Sequence, residues 1–207
     1  MTDTILLATR SEGKLRELRP LFVRSHVRVM DLREVLLEET EDEDLLERFP
    51  TFEENALAKA RHFHARSGGR PTAADDSGLE VVALGGRPGV RSKRWSGRSD
   101  LTGAALDAAN NETLLGAVAG MPDRSARYVC VAAYVDGTRE IITRGETAGV
   151  VLLAPRGTGG FGYDPYFSST ELGRTFGELS LEEKEQVSHR GRAFRALLDA
   201  TRRERPK

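Results

Sequence analysis

The chain of 207 residues predicts a mixed α/β fold, and three stretches carry that expectation. Ile5-Leu6-Leu7-Ala8 reads as a short buried strand. After a polar loop, Leu15, Leu18, Leu21 and Phe22 recur at helical spacing. Residues 126–135 are apolar on both faces, as a central strand requires. Asp136-Gly137 then signals a hairpin, so the strands should be both parallel and antiparallel.

The remaining elements follow in order. Residues 31–48 are acid-rich without a clear period and read as a mobile, solvent-facing segment. Thr51-Phe52-Glu53-Glu54 is a capping box, opening a helix through Ala56, Leu57, Ala60 and Phe63 to Gly68-Gly69. Thr72-Ala73-Ala74 is a strand that should end in a turn, with Asp75 and Asp76 at its mouth and Ser77-Gly78 following. Residues 100–118, rich in Ala and Leu, form a further helical candidate. Residues 140–143 and 149–153 read as strand partners of the hairpin. Ser180-Leu181-Glu182-Glu183 is a second capping box. The helix after it should end among Arg202, Arg203, Arg205 and Lys207, cations that suit a helix C-terminus.

Composition narrows the function classes. Acids and bases nearly cancel, 32 against 31, for a formal charge of −1, whereas a dominant nucleic-acid surface would carry a basic excess. Cys130 is the single cysteine, so no internal disulfide can form, and a reducing cytosol is expected. No apolar run approaches the roughly 20 residues that span a bilayer. Met1-Thr2-Asp3-Thr4 lacks a basic signal-peptide head. The expectation is a soluble cytoplasmic protein without membrane or nucleic-acid partners.

Four motifs carry chemistry. Adjacent Asp75 and Asp76 repel unless a cation or proton lies between them, which points to a divalent metal and to phosphate chemistry. Thr9-Arg10-Ser11-Glu12-Gly13-Lys14 joins a strand to a helix and can hold an anion with amides, a hydroxyl and a lysine. It is not a Walker A loop, and an ordinary turn with a solvated lysine is the plain alternative. Gly157-Thr158-Gly159-Gly160-Phe161-Gly162 matches the dinucleotide fingerprint by letter. It lacks the context, because Tyr163-Asp164-Pro165 follows instead of a long helix. A loop whose backbone approaches a ligand, or simply a tight turn, fits better. Phe161 and Tyr163 offer flat faces for a base, with core packing as the alternative. On the last helix, Lys184 and Ser188 share a face and Arg190 lies off it. They read as a cationic patch for phosphate or a purine carbonyl, or as a solvated basic face. His62 and His64 point to different faces of one helix, and Cys130 reads as a buried thiol.

Taken together and in this order, these strings resemble the inosine/xanthosine triphosphate pyrophosphatases, the HAM1-like or non-standard purine NTP pyrophosphatases. The resemblance spans nearly the whole chain: LLATRSEGKLREL, TFEENALAKA, AADDSGLEV, LGGRPGVRSKRWSG, GTGGFGYDPYF and TFGELSLEEKEQVSHRGRA. It implies one domain over residues 1–207, an elongated mixed sheet flanked by helices, with two lobes and an active-site cleft between them. It implies Mg2+-dependent hydrolysis of ITP, dITP and XTP to the monophosphate and pyrophosphate, by a homodimer that cleanses the nucleotide pool. Carried over by residue, Thr9, Arg10, Ser11, Glu12, Gly13 and Lys14 would hold the phosphates. Asp76 would be metal ligand and general base, with Ser77 a substrate contact. Phe161, Gly162, Tyr163 and Asp164 would line the base pocket. Lys184, His189 and Arg190 would contact substrate from the last helix. A second metal-linked acid is expected before the TF pair: spacing points to Glu47, local wording to Glu39. A 6-oxo purine needs donors that an adenine amino group would oppose, so Arg190→Ala is expected to relax base selection more than it slows phosphate chemistry.

Two further departures from the family pattern are Ser11, where Asn is usual, and Gly177, where Ala is usual. Ser11 leans toward a Maf-like pyrophosphatase acting on pyrimidine triphosphates, whereas the GGFGYDP and SHR strings lean against it. A non-catalytic nucleotide- or RNA-binding module is the reading from a different class. The intact Asp75, Asp76 and Lys14 oppose it.

Overall fold

The computed structural model describes residues 4–203. Met1, Thr2, Asp3, Arg205 and Lys207 lie outside the described residues. β1 (Thr4–Leu7) leads through a loop to α1 (Glu12–Arg24), whose Leu15, Leu18, Leu21 and Phe22 are the buried face that the spacing predicts. β2 (Arg28–Asp31) was not legible in the sequence. It pairs in parallel with β1, which supplies the ladder that its own composition does not advertise. α2 (Phe52–Arg66) starts at Thr51, whose hydroxyl accepts the Glu54 N–H at 3.2 Å. β3 (Thr72–Val81) pairs in parallel with β1 through Leu6 and Leu7.

β3 corrects one expectation. The strand does not end at the acids but runs on through Ser77 and Gly78. The continuation depends on Gly78: a Cβ there would lie 2.2 Å from the Gly89 carbonyl oxygen and 2.6 Å from Ser92 Oγ. Ser92 Oγ also accepts the Leu79 N–H. Glycine marks a close backbone approach here, not a turn.

Next come α3 (Gly103–Val118), β4 (Ser125–Val135) and β5 (Glu140–Val151). β5 is one continuous strand across the two pieces expected at 140–143 and 149–153. β6 (Phe167–Ser169) pairs antiparallel with β5. α4 (Leu181–Val187) opens on Ser180 with both halves of the capping box made. The single final helix of the sequence reading is two helices. Ser188 is extended, with φ −73° and ψ 150°, and α5 (His189–Arg203) starts anew after it. The i, i+4 relation of Lys184 and Ser188 therefore does not extend across a common helix to His189 and Arg190. The acidic segment 31–48 is also structured, containing a 3₁₀ turn over Glu41–Glu47.

The fold is mixed α/β, with a six-stranded sheet in the order β2-β1-β3-β4-β5-β6 flanked by helices. The chain divides into two units, and the divisions fall inside β3, β4 and β5 and after the first residue of α5. One unit holds the residues up to Asp76, Cys130–Gly145, and those from Arg190 on. The other holds Ser77–Val129 and Glu146–His189. The first has a core of Leu7, Leu18, Phe22, Ala132, Phe194 and Leu197 among others. Phe22 and Phe194 meet edge to face at 5.8 Å. The core of the second includes Leu79, Leu114, Tyr128, Phe167 and Phe176. Each fully buried Leu or Phe among them stabilises the fold by roughly 1.5–3 kcal/mol. Among the described residues no helix is long and apolar enough to cross a membrane.

Candidate active site

In the first unit, strand alternation separates the two acids, because consecutive residues of a strand face opposite ways. Asp75 takes the Lys14 ammonium at 2.9 Å and the Arg190 guanidinium at 3.4 Å, with the Cys130 sulfur 3.7 Å away. Burial pushes the Asp75 carboxyl up, but Lys14, Arg190 and Lys59 outweigh it and hold the group well below the usual carboxylate range. Burial and the Asp75 charge push the Cys130 thiol up, so it is an inert buried thiol.

Asp76 has the opposite electrostatics. Its Oδ2 accepts from Asn55 Nδ2 at 2.9 Å, and its Oδ1 lies 3.6 Å from the Lys59 ammonium. Burial raises its pKa and the Glu47 charge adds to the rise, while Lys59 opposes both. Lys59 also donates to Glu47 Oε1 at 2.7 Å and to the Asp75 carbonyl oxygen at 2.5 Å. Burial alone would lower the Lys59 pKa, but Glu47, Asp76 and Asp75 together raise it, so it is a charged ammonium among carboxylates. The structure thus brings Glu47, not Glu39, to Asp76. Glu39 is exposed. Asn55 fixes this approach by exchanging hydrogen bonds with the Phe49 backbone on one side and donating to Asp76 on the other.

The loop of residues 9–14 divides. Ser11 caps α1, accepting the Lys14 N–H at 3.3 Å, and its own N–H donates to Thr9 Oγ1 at 3.1 Å. That cap directs the Lys14 side chain from the first turn to Asp75. Arg10 turns elsewhere, bonding Glu43 and the Leu37 carbonyl. Exposed Glu12 pairs with Arg33, and Gly13 is half-buried in the first turn of α1. Glu43, held by Arg10 and Arg66, ties the acidic segment down. Arg190 donates to Glu17 at 2.6 Å as well as to Asp75, so its guanidinium sits with the acids in this unit.

In the second unit, Asp164 organises the loop after β5. Its Oδ2 accepts the Phe161 N–H at 2.7 Å and the Lys184 ammonium at 2.5 Å, and its carbonyl accepts the Gly177 N–H. Lys184 Nζ lies over the rings of Phe161 and Phe176, 5.2 and 5.4 Å from their centroids. Phe161 is half-buried and lines a groove of about 880 Å³. Tyr163 follows the packing alternative: it is buried, and its hydroxyl donates to the Ser92 carbonyl. His189 stacks on Tyr128 at 4.4 Å with the rings 5° from parallel. Ser77 is half-buried in β3. Gly157 and Gly160 serve close packing. A Cβ on Gly157 would meet the Gly177 carbonyl oxygen at 2.1 Å, and one on Gly160 would meet Asp164 Oδ2 at 2.0 Å.

The sequence reading missed Asn55 and Lys59. Their signal was present: both lie on the α2 face that also buries Phe52, Ala56, Ala60 and Phe63. A lysine within an apolar stripe requires a buried partner.

The comparisons with known proteins agree with one another. The chain matches the Ham1 family over residues 5–200. It is 47% identical over 196 residues to the dITP/XTP pyrophosphatase of Frankia alni, covering 93% of this chain and 94% of that one. It is 46% identical over 208 residues to that of Mycobacterium tuberculosis, covering 98% and 97%. Among solved structures, a HAM1 protein from Coxiella burnetii superposes with a TM-score of 0.81 at 36% identity, covering 97% of this chain and 99% of the other. A dITP/XTP pyrophosphatase from Mycobacterium abscessus gives a TM-score of 0.70 at 42% identity, covering 94% and 98%. The chain belongs to the Ham1 family.

Proposed function

We propose that the chain hydrolyses non-standard purine nucleoside triphosphates (ITP, dITP and XTP) to the monophosphate and pyrophosphate, removing them from the nucleotide pool. The observation that carries this reading is the placement of Asp76 beside Glu47 and Lys59, with Lys14 on Asp75 one residue away. Lys14 and the first-turn amides of α1 bind phosphate oxygens. Asp76, its pKa raised by burial, takes the proton from a water that attacks the α-phosphorus in line. The bond to the bridging oxygen breaks and pyrophosphate leaves. Arg190 keeps Asp75 ionised and so maintains the cation array around the phosphates. In the second unit Phe161 stacks on the base, while Lys184 and Asp164 fix that ring.

The donor set fits Mg2+. Glu47 and Asp76 would hold the ion through carboxylate oxygens, which are already gathered around a cation, Lys59. Among the described residues no group of three or more His, Cys, Asp or Glu side chains forms a closed cage. One or two carboxylates completed by substrate phosphates is the usual Mg2+ arrangement. When bound, the ion supplies charge neutralisation on the phosphate oxygens. We further propose a cytoplasmic homodimer, following the family resemblance, without nucleic-acid or membrane partners.

Pyrophosphate release from a panel of ITP, dITP, XTP, ATP, GTP, UTP and dTTP, with and without Mg2+, tests the reading. Release from the 6-oxo non-standard purines only with Mg2+ supports it. Release from UTP or dTTP alone favours the Maf-like alternative, and release from none favours a binding module.

A further inference from the structure

Two polar side chains one turn apart on α3 end on the same residue of the loop after β5. Asp107 Oδ2 accepts the Gly162 N–H at 2.8 Å, and Asn111 Nδ2 donates to the Gly162 carbonyl at 2.9 Å. Their i, i+4 spacing puts both on one helix face. Gly162 has φ +61° and open space where a Cβ would stand, so it is conformation rather than crowding that selects glycine there. Asn111 is 8% exposed, and among the described residues its Oδ1 has no hydrogen-bond partner. The fold uses this amide for its donor. The residue immediately before the clamped one is Phe161, whose own N–H is taken by Asp164. The peptide that carries the Phe161 ring is thus fixed from both ends.

We propose that Asp107 and Asn111 are positioning residues for base recognition. By gripping both polar groups of Gly162 they fix the plane in which Phe161 presents its ring to a purine. The inference rests on the reading that Phe161 takes the base. The clamp governs affinity for the nucleoside half of the substrate. The triphosphate half depends on Lys14 and the acids of the first unit, which the clamp does not touch.

The test measures dITP hydrolysis and inhibition by inorganic tripolyphosphate, a probe without a base, in Mg2+. Wild type, Asp107→Ala, Asp107→Asn and Asn111→Asp are compared. Asp107→Ala and Asn111→Asp should raise KM for dITP about tenfold, with kcat changed less than about threefold, the pattern of lost ground-state binding. Their inhibition constants for tripolyphosphate should match wild type. Asp107→Asn, which keeps an oxygen opposite the Gly162 N–H, should recover most of what Asp107→Ala loses. A wild-type KM in either variant, or an equal weakening of dITP and tripolyphosphate, overturns the proposal. Should Asp107→Ala fail to fold, Asn111→Asp decides, since it keeps the side-chain shape and puts a carboxylate oxygen where the amide donor stood. A wild-type protein inactive on every purine triphosphate overturns instead the functional reading beneath.

Discussion

Asp75 and Asp76 are consecutive residues whose carboxylates have different partners and opposite pKa shifts. Asp75 meets Lys14 and Arg190 and is held ionised, while Asp76 meets Asn55 and Lys59 and is raised. Strand alternation is the cause, so the pair is not a shared-proton dyad.

Substitutions at the two acids should therefore separate activity from stability. Asp76→Asn keeps the Asn55 and Lys59 surroundings filled, and kcat should fall by about 10³ for loss of the base. Its melting temperature should stay near wild type. Asp75→Asn removes the counter-charge of buried Arg190 and of Lys14, and should cost about 3–5 kcal/mol. Turnover assays and urea unfolding on both variants check this.

Lys59 is the cation that lets Glu47 and Asp76 approach one another. Lys59→Met should unfold at lower denaturant without divalent metal, because it leaves two carboxylates uncompensated. Added Mg2+ should raise its melting temperature more than that of wild type, by ligand linkage. Thermal melts with EDTA and with Mg2+ measure both effects.

Gly177 is not a neutral departure from the family's alanine. A Cβ there would lie 2.7 Å from the Arg156 carbonyl oxygen and 3.0 Å from Pro165 Cα, both backbone. Gly177→Ala should destabilise by about 1–3 kcal/mol. Because the Gly177 N–H bonds the Asp164 carbonyl, the variant should also raise KM. Calorimetry and steady-state kinetics report the two consequences.

The hairpin after β4 should set part of the acid sensitivity. Asp136 accepts from Thr138, Arg139 and Tyr134. Burial pushes its carboxyl up, but Arg139 and Thr138 hold it well below the ordinary range. A depressed folded pKa gives stability that is full above the unfolded value near ~4 and is lost as pH falls toward the folded one. Asp136→Asn should cost about 2 kcal/mol at neutral pH. The gap from wild type should shrink below pH ~4. Urea titrations at neutral pH and near pH ~3 check the sign.

Local signals in the sequence were read correctly where they act locally. The α1 stripe, the Thr51 and Ser180 caps and the Asp136-Gly137 turn each depend on neighbours within a few residues. The reading failed where a distant partner decides. β2 needs β1 for its ladder, and β3 continues past the acids because Gly78 packs on Gly89 and Ser92. At the site, Asp76 and Lys14 stand in motifs, and Glu47 follows from the family spacing with Glu39 as its alternative, whereas Asn55 and Lys59 look like ordinary positions of the α2 pattern. Arg190, assigned to the base, is paired with Glu17 and Asp75. The letters of SHR do not disclose that the chain breaks at Ser188 and that His189 and Arg190 begin a new helix.

Arg190 lies 173 positions after Glu17 and 115 after Asp75. During synthesis the first helix and the acid strand leave the ribosome long before the residue that balances them. Such long-range closure is slow to form, and the nascent chain waits for it. A product released before the last helix would bury Asp75 with one cation fewer. A chain without α5 would lack Arg190, and with it a counter-charge that both Asp75 and Glu17 meet in the folded protein.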